Sequence, residues 1–313
     1  MCPLCGSAEA WLISRESRNG APLRTLICQA CSLGRTDPIP AEEDLAAYYR
    51  DEYRSDYKGI SIPKPKHVLR AARLARHRLG VLKPLIDPGS AVLDLGAGGG
   101  EFVYLARQAG LAAHGLEPNA GYAGYASQTL GLPVVTGTWQ THHPPPASLG
   151  AVTMFHVLEH LPDPLACMRQ VRSWLDQSGV LLVEVPHLRT PVGNPRHRFH
   201  RAHLLHFTVE SLSLAFRLAG FEVVRAGTSA DGANVLVCGR YADGEPVQDW
   251  PRAAGVEAAL HWEHSRPRFP YLRPAAWLRF VNKVAGMLEE KRTASSYPDG
   301  KAILEAVAAL PPA

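Results

Sequence analysis

The stretch from Val92 to Phe102 reads Val-Leu-Asp-Leu-Gly-Ala-Gly-Gly-Gly-Glu-Phe, and it decides the fold of this chain. The aliphatic run from Ala91 to Leu95 predicts a buried strand, and the apolar spacing from Glu101 to Gln108 predicts a helix. The four glycines between them permit positive φ, so backbone N–H groups in this turn can approach a ligand closely. The pattern alone is weak evidence for a ligand, because a tight structural turn has the same composition.

The strand that follows ends in an acidic residue. The run from Ala112 to Leu116 leads into Glu117, which comes 23 residues after Asp94. A carboxylate at this point of an α/β fold can accept hydrogen bonds from both hydroxyls of a ribose. The turn lacks the Gly-x-Gly-x-x-Gly spacing by which dinucleotide folds hold a pyrophosphate. The sequence therefore gives no signature of a dinucleotide beyond the glycines themselves.

A third motif identifies the family that the chain resembles. The run from Ala151 to Val157 continues into Leu-Glu-His-Leu-Pro-Asp-Pro at positions 158–164. Together with the glycine turn and Glu117, this motif resembles the class I S-adenosylmethionine-dependent methyltransferases, specifically their small-molecule branch. The resemblance covers roughly Ala91 to Arg240. It implies an α/β fold with a seven-stranded Rossmann-like sheet, helices on both faces and an antiparallel last strand.

The resemblance also implies where the cofactor binds. Ligands of open α/β sheets bind outside the carboxyl ends of the strands. The glycine turn would hold the methionine part of S-adenosylmethionine, Glu117 the ribose and the region of Trp139 the adenine, with His156, Glu159 and His160 beside the sulfonium. The predicted cofactor-binding residues are Asp94, Gly96, Ala97, Gly98, Gly100, Glu117, Pro118, Trp139 and His156.

The loop from Pro186 to Phe207 is rich in imidazole and guanidinium groups. A loop of this length inside a compact domain is more often functional than idle. Its side chains suit proton transfer and the recognition of phosphate or carboxylate. They are His187, Arg189, Arg196, His197, Arg198, His200, Arg201, His203 and His206.

Within this loop, the segment His-Leu-Leu-His-Phe at 203–207 resembles the His-x-x-Tyr-Phe element of deoxysugar C-methyltransferases. By that resemblance His203 would be the general base, taking a proton from a carbon next to a keto group or from a hydroxyl. His206 replaces the tyrosine of the element, and Arg201 and Ala202 replace its acidic and aromatic residues. His156 and His160 are the other candidate catalytic residues. The alternative is that His203 is a satisfied polar residue at the start of the following helix.

A metal-assisted reaction is a further alternative. His156, Glu159 and His160 put two imidazoles and a carboxylate on one short segment, and His203 or His206 would be a further ligand. Acceptors of other classes are disfavoured. Positions 155–158 read Phe-His-Val-Leu, which is not the Asn/Asp-Pro-Pro-Tyr/Phe motif of amino-group methylation.

Two Cys-x-x-Cys pairs near the N-terminus predict one structural zinc ion. Cys2 and Cys5 are separated by 22 residues from Cys28 and Cys31, a spacing that suits a single tetrahedral site. Two disulfides would need an oxidising compartment that nothing in the sequence indicates. Deoxysugar C-methyltransferases carry a similar four-cysteine zinc module. The segment has few basic residues, so we interpret it as a structural cap rather than a nucleic-acid reader.

Composition limits the partners. The 313 residues are 46% hydrophobic, and the net charge of +4 is too small to imply binding to nucleic acid. No apolar stretch approaches the roughly 18 residues of a membrane span, and the first residues, Met-Cys-Pro, do not form a leader. We therefore expect a cytoplasmic protein whose partner is a small-molecule acceptor.

We predict four regions: a zinc-ribbon module at 1–36, a helical lid or connector at 37–90, an S-adenosylmethionine-binding methyltransferase domain at 91–243, and a helical extension at 244–313.

In the connector, a tyrosine face either packs on the core or covers the substrate. The helix from His67 to Leu82 carries arginines that we expect to be solvated. The apolar face from Pro274 to Lys291 would dock on its own domain or form a homodimer, with a membrane-surface helix as the alternative. The tyrosines are Tyr48, Tyr49, Tyr53 and Tyr57, and the arginines are Arg70, Arg73, Arg76 and Arg78.

The functional hypothesis is methyl transfer from S-adenosylmethionine to an oxygen or carbon atom of a small polar metabolite, such as a nucleotide-linked sugar or a biosynthetic intermediate. The alternative is a cofactor-binding scaffold protein of the same fold that transfers no methyl group. One residue favours the alternative, because Gly150 stands where the family usually has aspartate.

Overall fold

A computed structural model of the chain describes residues 1–40, 62–190, 199–242 and 274–311. The four tyrosines of the predicted lid lie outside the described residues, as do Arg196, His197 and Arg198. The strands are β1 (Ala10–Glu16), β2 (Pro22–Cys28), β3 (Gly34–Thr36), β4 (Ala91–Leu95), β5 (Ala112–Glu117), β6 (Val134–Thr136), β7 (Leu149–Phe155), β8 (Leu175–Pro186), β9 (Leu205–His206), β10 (Phe221–Thr228) and β11 (Asn234–Tyr241). The α-helices are α1 (Pro65–Leu82), α2 (Glu101–Gln108), α3 (Ala120–Gly124), α4 (Pro164–Trp174), α5 (Val209–Leu218), α6 (Pro274–Ala294) and α7 (Gly300–Ala308).

Seven of these strands form one sheet in the order β10-β11-β8-β7-β4-β5-β6. β4 pairs with β5 and β5 pairs with β6 in parallel, whereas β11 runs antiparallel to both β8 and β10. The predicted α/β fold with a seven-stranded Rossmann-like sheet is therefore confirmed, and so is its antiparallel last strand.

Local sequence explains where several elements begin. The central strands are runs of β-branched and aliphatic residues, as expected for strands buried on both faces. Helix α4 begins after Asp163, whose Oδ1 accepts a 2.9 Å hydrogen bond from the N–H of Ala166. Helix α5 begins with a capping box in which Thr208 and Ser211 exchange side-chain and backbone hydrogen bonds. Helix α3 ends at Gly124, and the chain continues as a π-helical turn over Tyr125–Thr129.

The described residues group into two compact units. The first draws on Met1–Lys58, Pro145–Ser148 and Thr153–Arg266, and the second on Gly59–Pro144, Leu149–Val152 and Pro267–Ala313. The four predicted regions stay predictions.

The first unit contains a second sheet, of four strands in the order β1-β2-β3-β9. Its last strand, β9, comes from the histidine-rich loop and pairs antiparallel with β3, with Gly34 opposite His206. A Cβ at position 34 would lie 2.9 Å from the Cβ of His206, so only glycine permits this approach. Ile27 of β2 forms a buried apolar cluster with Leu188 and Phe199. The cysteine-bearing segment is thus completed by the loop that follows β8.

The second unit contains helices α1, α6 and α7. The Nε atom of Arg70 donates a 3.1 Å hydrogen bond to Oε1 of Glu290, and Arg73 pairs with Glu289 at 3.1 Å. Arg78 is buried. The prediction that the α1 arginines form a solvated face is therefore wrong for Arg78, which packing encloses. Arg70 and Arg73 are exposed, as predicted, and pair with acidic residues of α6.

Helix α6 carries apolar side chains that the described residues leave exposed. Val281, Met287 and Leu288 are 55%, 47% and 63% exposed. The side chains of Trp277 and Phe280 lie outside the described set. The predicted homodimer through this helix stays a prediction. Among the described helices, none combines the length and the hydropathy that crossing a bilayer requires.

Candidate functional site

The glycine turn after β4 holds the carboxyl group of Glu117 in a fixed position. The main-chain N–H of Gly98 donates a 2.8 Å hydrogen bond to Oε2 of Glu117, and the N–H of Asn119 donates one of 2.8 Å to Oε1. Gly98 has a φ of 53°, and no atom lies within 4 Å of the place where its Cβ would be. Each Glu117 oxygen keeps a lone pair for a further donor such as a ribose hydroxyl.

Four other predicted cofactor residues of the second unit lie in or after the strands β4, β5 and β6. Asp94 and Ala97 are buried, and Pro118 is exposed. Trp139 is half-buried in the turn after β6, and its Nε1 is enclosed with no hydrogen-bond partner among the described residues. An enclosed indole N–H of this kind is available to a ligand. Of the nine predicted cofactor residues, only His156 belongs to the first unit.

Glu101 is a candidate residue that the sequence analysis missed. The pKa of Glu101 is raised to about 7, chiefly by burial and in smaller part by the nearby carboxyl groups of Asp94 and Glu117. Burial likewise raises the pKa of Glu117, against the effect of its two backbone donors. S-adenosylmethionine carries a sulfonium and an ammonium group, and three carboxyl groups around one turn suit a cationic ligand. The signal in the sequence was an acidic residue directly after the fourth glycine, at a helix N-terminus.

His156 follows directly after β7, in the first unit. Its φ of 59° lies in the left-handed region, which costs a non-glycine residue about 1 kcal/mol or more. The N–H of His156 donates a 2.8 Å hydrogen bond to the carbonyl of Glu184. Its Nδ1 lies 3.4 Å from Oε1 of Glu159, and its Nε2 lies 3.5 Å from Oε1 of Glu184. The strained backbone therefore places this imidazole between two carboxyl groups.

Glu159 and His160 lie in the 3₁₀ turn Leu158–His160. The side chain of Glu159 is 1% exposed. Nδ1 of His160 lies 2.7 Å from the carbonyl oxygen of Ala202, and the N–H of Leu204 donates a 2.8 Å hydrogen bond to the carbonyl of Glu159. These two contacts join the turn to the histidine-rich loop.

His203 lies within this loop among other imidazoles. Its ring centroid is 4.9 Å from that of His160, 5.6 Å from that of His200 and 6.5 Å from that of His206. Burial, followed by the charges of the neighbouring imidazoles, lowers the pKa of His203 to about 2. The ring is therefore neutral at physiological pH and keeps one nitrogen lone pair. The structure thus brings together the three predicted catalytic histidines, His156, His160 and His203, around Glu159.

Three other residues of the loop contact segments outside the histidine cluster. Arg189 pairs with Glu210 at 2.7 Å, and His206 belongs to β9. Nδ1 of His187 lies 3.3 Å from the carbonyl oxygen of Gly232. These three residues hold the loop in place.

The four N-terminal cysteines come together as the sequence predicts. One sulfur atom from each of Cys2, Cys5, Cys28 and Cys31 lies within 4.8 Å of the others, and none of the four forms a disulfide. The Cys2–Cys31 and Cys5–Cys28 sulfur distances are both 3.5 Å. Four sulfurs bound tetrahedrally to zinc at about 2.3 Å would be about 3.8 Å apart, so this cluster fits a zinc ion.

Known methyltransferases are similar to part of this chain. The family model described as "Methyltransferase domain" matches residues 66–226. The C-methyltransferase NovU of Streptomyces niveus is 26% identical over 223 residues, which are 69% of this chain and 50% of that protein. The chain thus spans about half the length of the curated relative it matches.

Among solved structures, an S-adenosylmethionine-dependent methyltransferase of Archaeoglobus fulgidus has a TM-score of 0.47 and 18% identity, with 54% of this chain and 94% of that chain covered. An S-adenosylmethionine-dependent methyltransferase of Aquifex aeolicus has a TM-score of 0.44 and 18% identity, with 57% of this chain and 98% of that chain covered.

Proposed function

The chain belongs to the methyltransferase domain family, and we propose that it transfers a methyl group from S-adenosylmethionine to an oxygen or carbon atom of a small polar metabolite. The observation that carries this proposal is the Glu117 carboxyl group, fixed by the N–H groups of Gly98 and Asn119 beside an open glycine turn. A buried acceptor in this setting suits the two ribose hydroxyls of the cofactor.

The residues of the second unit would hold the cofactor. The turn from Gly96 to Gly100 would receive its methionine part, Glu117 its ribose, and Trp139 its adenine. When bound, S-adenosylmethionine supplies an electrophilic methyl group. The chain itself then has to orient the acceptor in line with that methyl, which lowers a barrier by roughly 7–11 kcal/mol in well-oriented systems.

The histidine cluster is proposed for the acceptor side. An acceptor hydroxyl, or a carbon next to a keto group, has to lose a proton as it gains the methyl group. A positioned base contributes roughly 10²- to 10⁴-fold to such a step. We assign this region to His156, His160 and His203, with His203 first because of its place in the His-x-x-Tyr-Phe-like element.

Two features support the proposed substrate class. The name of the NovU relative specifies carbon as its methyl acceptor. A sugar linked to a nucleotide would also suit the arginine-rich loop, since guanidinium groups bind phosphate in a bidentate way. We therefore propose a nucleotide-linked sugar or a similar polar intermediate as the acceptor.

The four-cysteine cluster is proposed as a structural zinc site. Its sulfur separations fit a tetrahedral ion, and a segment this small buries little apolar surface of its own. Zinc would hold β2 and the following turn in the geometry that lets β3 pair with β9.

The scaffold alternative loses its one specific argument. A Cβ at position 150 would lie 2.9 Å from the Cβ of Ser90. The glycine therefore has a local packing reason, independent of whether the protein transfers methyl groups.

Isothermal titration with S-adenosylhomocysteine tests the proposal. We expect binding at micromolar ligand, and no binding at millimolar ligand would refute the enzyme assignment. The protein is then incubated with methyl-deuterated S-adenosylmethionine and a panel of nucleotide-linked sugars. Mass spectrometry identifies any acceptor that has gained the labelled methyl group. Binding without transfer to any acceptor would favour the scaffold alternative.

A further inference from the structure

Three side chains of the first unit converge around a buried carboxyl group, Glu159, to which the proposed function assigns no role. Glu159, His160 and His203 each offer one ligand atom, and the three atoms lie within 4.8 Å of one another. The group combines one carboxyl with two imidazoles. This is the ligand set that proteins use for Zn²⁺ and for other divalent first-row transition metals.

Glu159 is the first reason to infer a cation. Its side chain is 1% exposed, and among the described residues neither of its oxygens accepts a hydrogen bond. Two imidazoles lie beside it, with His156 Nδ1 at 3.4 Å and His160 Nε2 at 3.8 Å from Oε1. A carboxyl group buried without a hydrogen bond is costly, and a cation bound directly to it would remove that cost.

His160 is the second reason. Its Nδ1 lies 2.7 Å from the carbonyl oxygen of Ala202, which can only accept, so Nδ1 carries the proton. In the neutral ring, Nε2 then presents a lone pair toward Oε1 of Glu159, at a distance too long for a hydrogen bond. A histidine whose second nitrogen donates to a backbone carbonyl is the arrangement that metal-ligating histidines use to fix their tautomer.

The backbone holds the third ligand in place. The N–H of Leu204, next to His203, donates to the carbonyl of Glu159, and the carbonyl of Leu204 accepts a 2.9 Å hydrogen bond from the N–H of Thr36. The residue after His203 is thus bound on one side to the turn that carries Glu159 and on the other to β3. Ligands held by such fixed backbone form a site of defined geometry.

From this geometry we propose that Glu159, His160 and His203 bind one divalent first-row transition-metal cation. Three protein ligands leave coordination positions open, and an oxygen atom of the acceptor would occupy one of them. This last step rests on the proposed function, whereas the binding of the cation does not. A lone pair of His203 that binds the cation cannot also take the acceptor's proton, so in this arrangement His203 is a ligand.

Zinc is the probe for the test. The full chain is equilibrated with Zn²⁺, desalted and analysed for metal by mass spectrometry. We expect about two zinc ions per chain, one in the four-cysteine cluster and one at the new site. Glu159→Gln, His160→Asn and His203→Asn should each hold about one. The matched control His143→Asn, which changes an exposed histidine, should still hold about two.

A zinc content of one in the wild-type chain would overturn the inference, and so would two ions in Glu159→Gln. If the variants fail to fold, anomalous diffraction at the zinc edge from wild-type crystals decides the matter. A peak beside Glu159 and His160 supports the site. The absence of a second zinc peak, or a second peak elsewhere in the chain, refutes it.

S-adenosylhomocysteine titration of the same preparations keeps the two proposals separate. Cofactor binding with a single zinc removes only the cation site, and two zinc ions without cofactor binding removes only the methyltransferase assignment.

Discussion

Oε2 of Glu117 accepts a 2.8 Å hydrogen bond from the main-chain N–H of Gly98. This contact links the ends of β4 and β5, because Gly98 lies in the turn after one strand and Glu117 closes the other. The glycine turn is thus held by the same carboxyl group that is proposed to bind the ribose. A change at Glu117 should therefore affect both the shape of the turn and the affinity for the cofactor.

Glu117→Ala should weaken S-adenosylhomocysteine binding by about tenfold or more. The variant loses the acceptor for the ribose hydroxyls and for two backbone donors, and a hydrogen bond to a charged group contributes about 1.5–3 kcal/mol. Isothermal titration measures the change. Glu305→Ala, which removes an exposed carboxyl group of the same unit, is the matched control. Equal affinity in Glu117→Ala and wild type would remove Glu117 from the cofactor site.

Glu101→Gln should make the protein more stable at alkaline pH. Burial raises the pKa of Glu101 from 4.5 to about 7, which corresponds to about 3 kcal/mol. Between these values the unfolded chain has released the proton while the folded chain still binds it. The free energy of unfolding therefore falls as pH rises from 4.5 and levels off just above pH 7. The glutamine cannot ionise, so it avoids this loss.

Urea unfolding at pH 5 and pH 8 measures the effect. The difference in unfolding free energy between Glu101→Gln and wild type should move in favour of the variant by about 2.5 kcal/mol between the two pH values, because part of the effect has already developed at pH 5. Other titrating groups cancel in this comparison. Glu305→Gln, an exposed carboxyl, should show no such change. A difference that is the same at both pH values would mean that Glu101 ionises normally in the folded protein.

The sequence predicted the elements that local pattern controls. The strand Ala91–Leu95 and the helix Glu101–Gln108 have the predicted bounds, because a buried aliphatic run and a glycine turn leave few alternatives. The convergence of His156, His160 and His203 also followed from motifs at recognisable places. These features depend on residues close together in the chain or on strand ends that the fold brings together.

Contacts between distant segments were not predictable in this way. Strand β9 has only two residues and pairs with β3 about 170 positions earlier, so no periodicity marks it. The pairing of Arg70 with Glu290 depends on where α6 lies, and amphipathic pattern does not specify that position. The burial of Glu101 depends likewise on tertiary packing, which the local sequence at a helix start does not specify.

Cys28→Ser should release the zinc proposed for the N-terminal module and unfold the four-stranded sheet locally. Cys28 ends β2, and β2 pairs with β3, which pairs with β9. Loss of the ion should therefore expose backbone amides of β2 and β3 to hydrogen exchange, while β8 in the other sheet keeps its protection. Mass spectrometry of exchanged peptides measures this. Cys167→Ala removes a buried cysteine outside the cluster, and it should retain the zinc. Unchanged protection of β2 in Cys28→Ser would show that the module folds without metal.

His203→Ala should lower the methyl-transfer rate by roughly 10²- to 10⁴-fold on any acceptor that the wild-type chain methylates, with S-adenosylhomocysteine affinity nearly unchanged. The loss is expected whether His203 takes the acceptor's proton or binds a cation that holds the acceptor, because either role acts in the transition state. Single-turnover kinetics with saturating cofactor measures the rate. His143→Ala, at an exposed position, should retain wild-type turnover. Near-normal turnover in His203→Ala together with a large loss in His156→Ala would move the role to the residue that follows β7. Its strained backbone and its position between Glu159 and Glu184 would then be the features that serve the reaction.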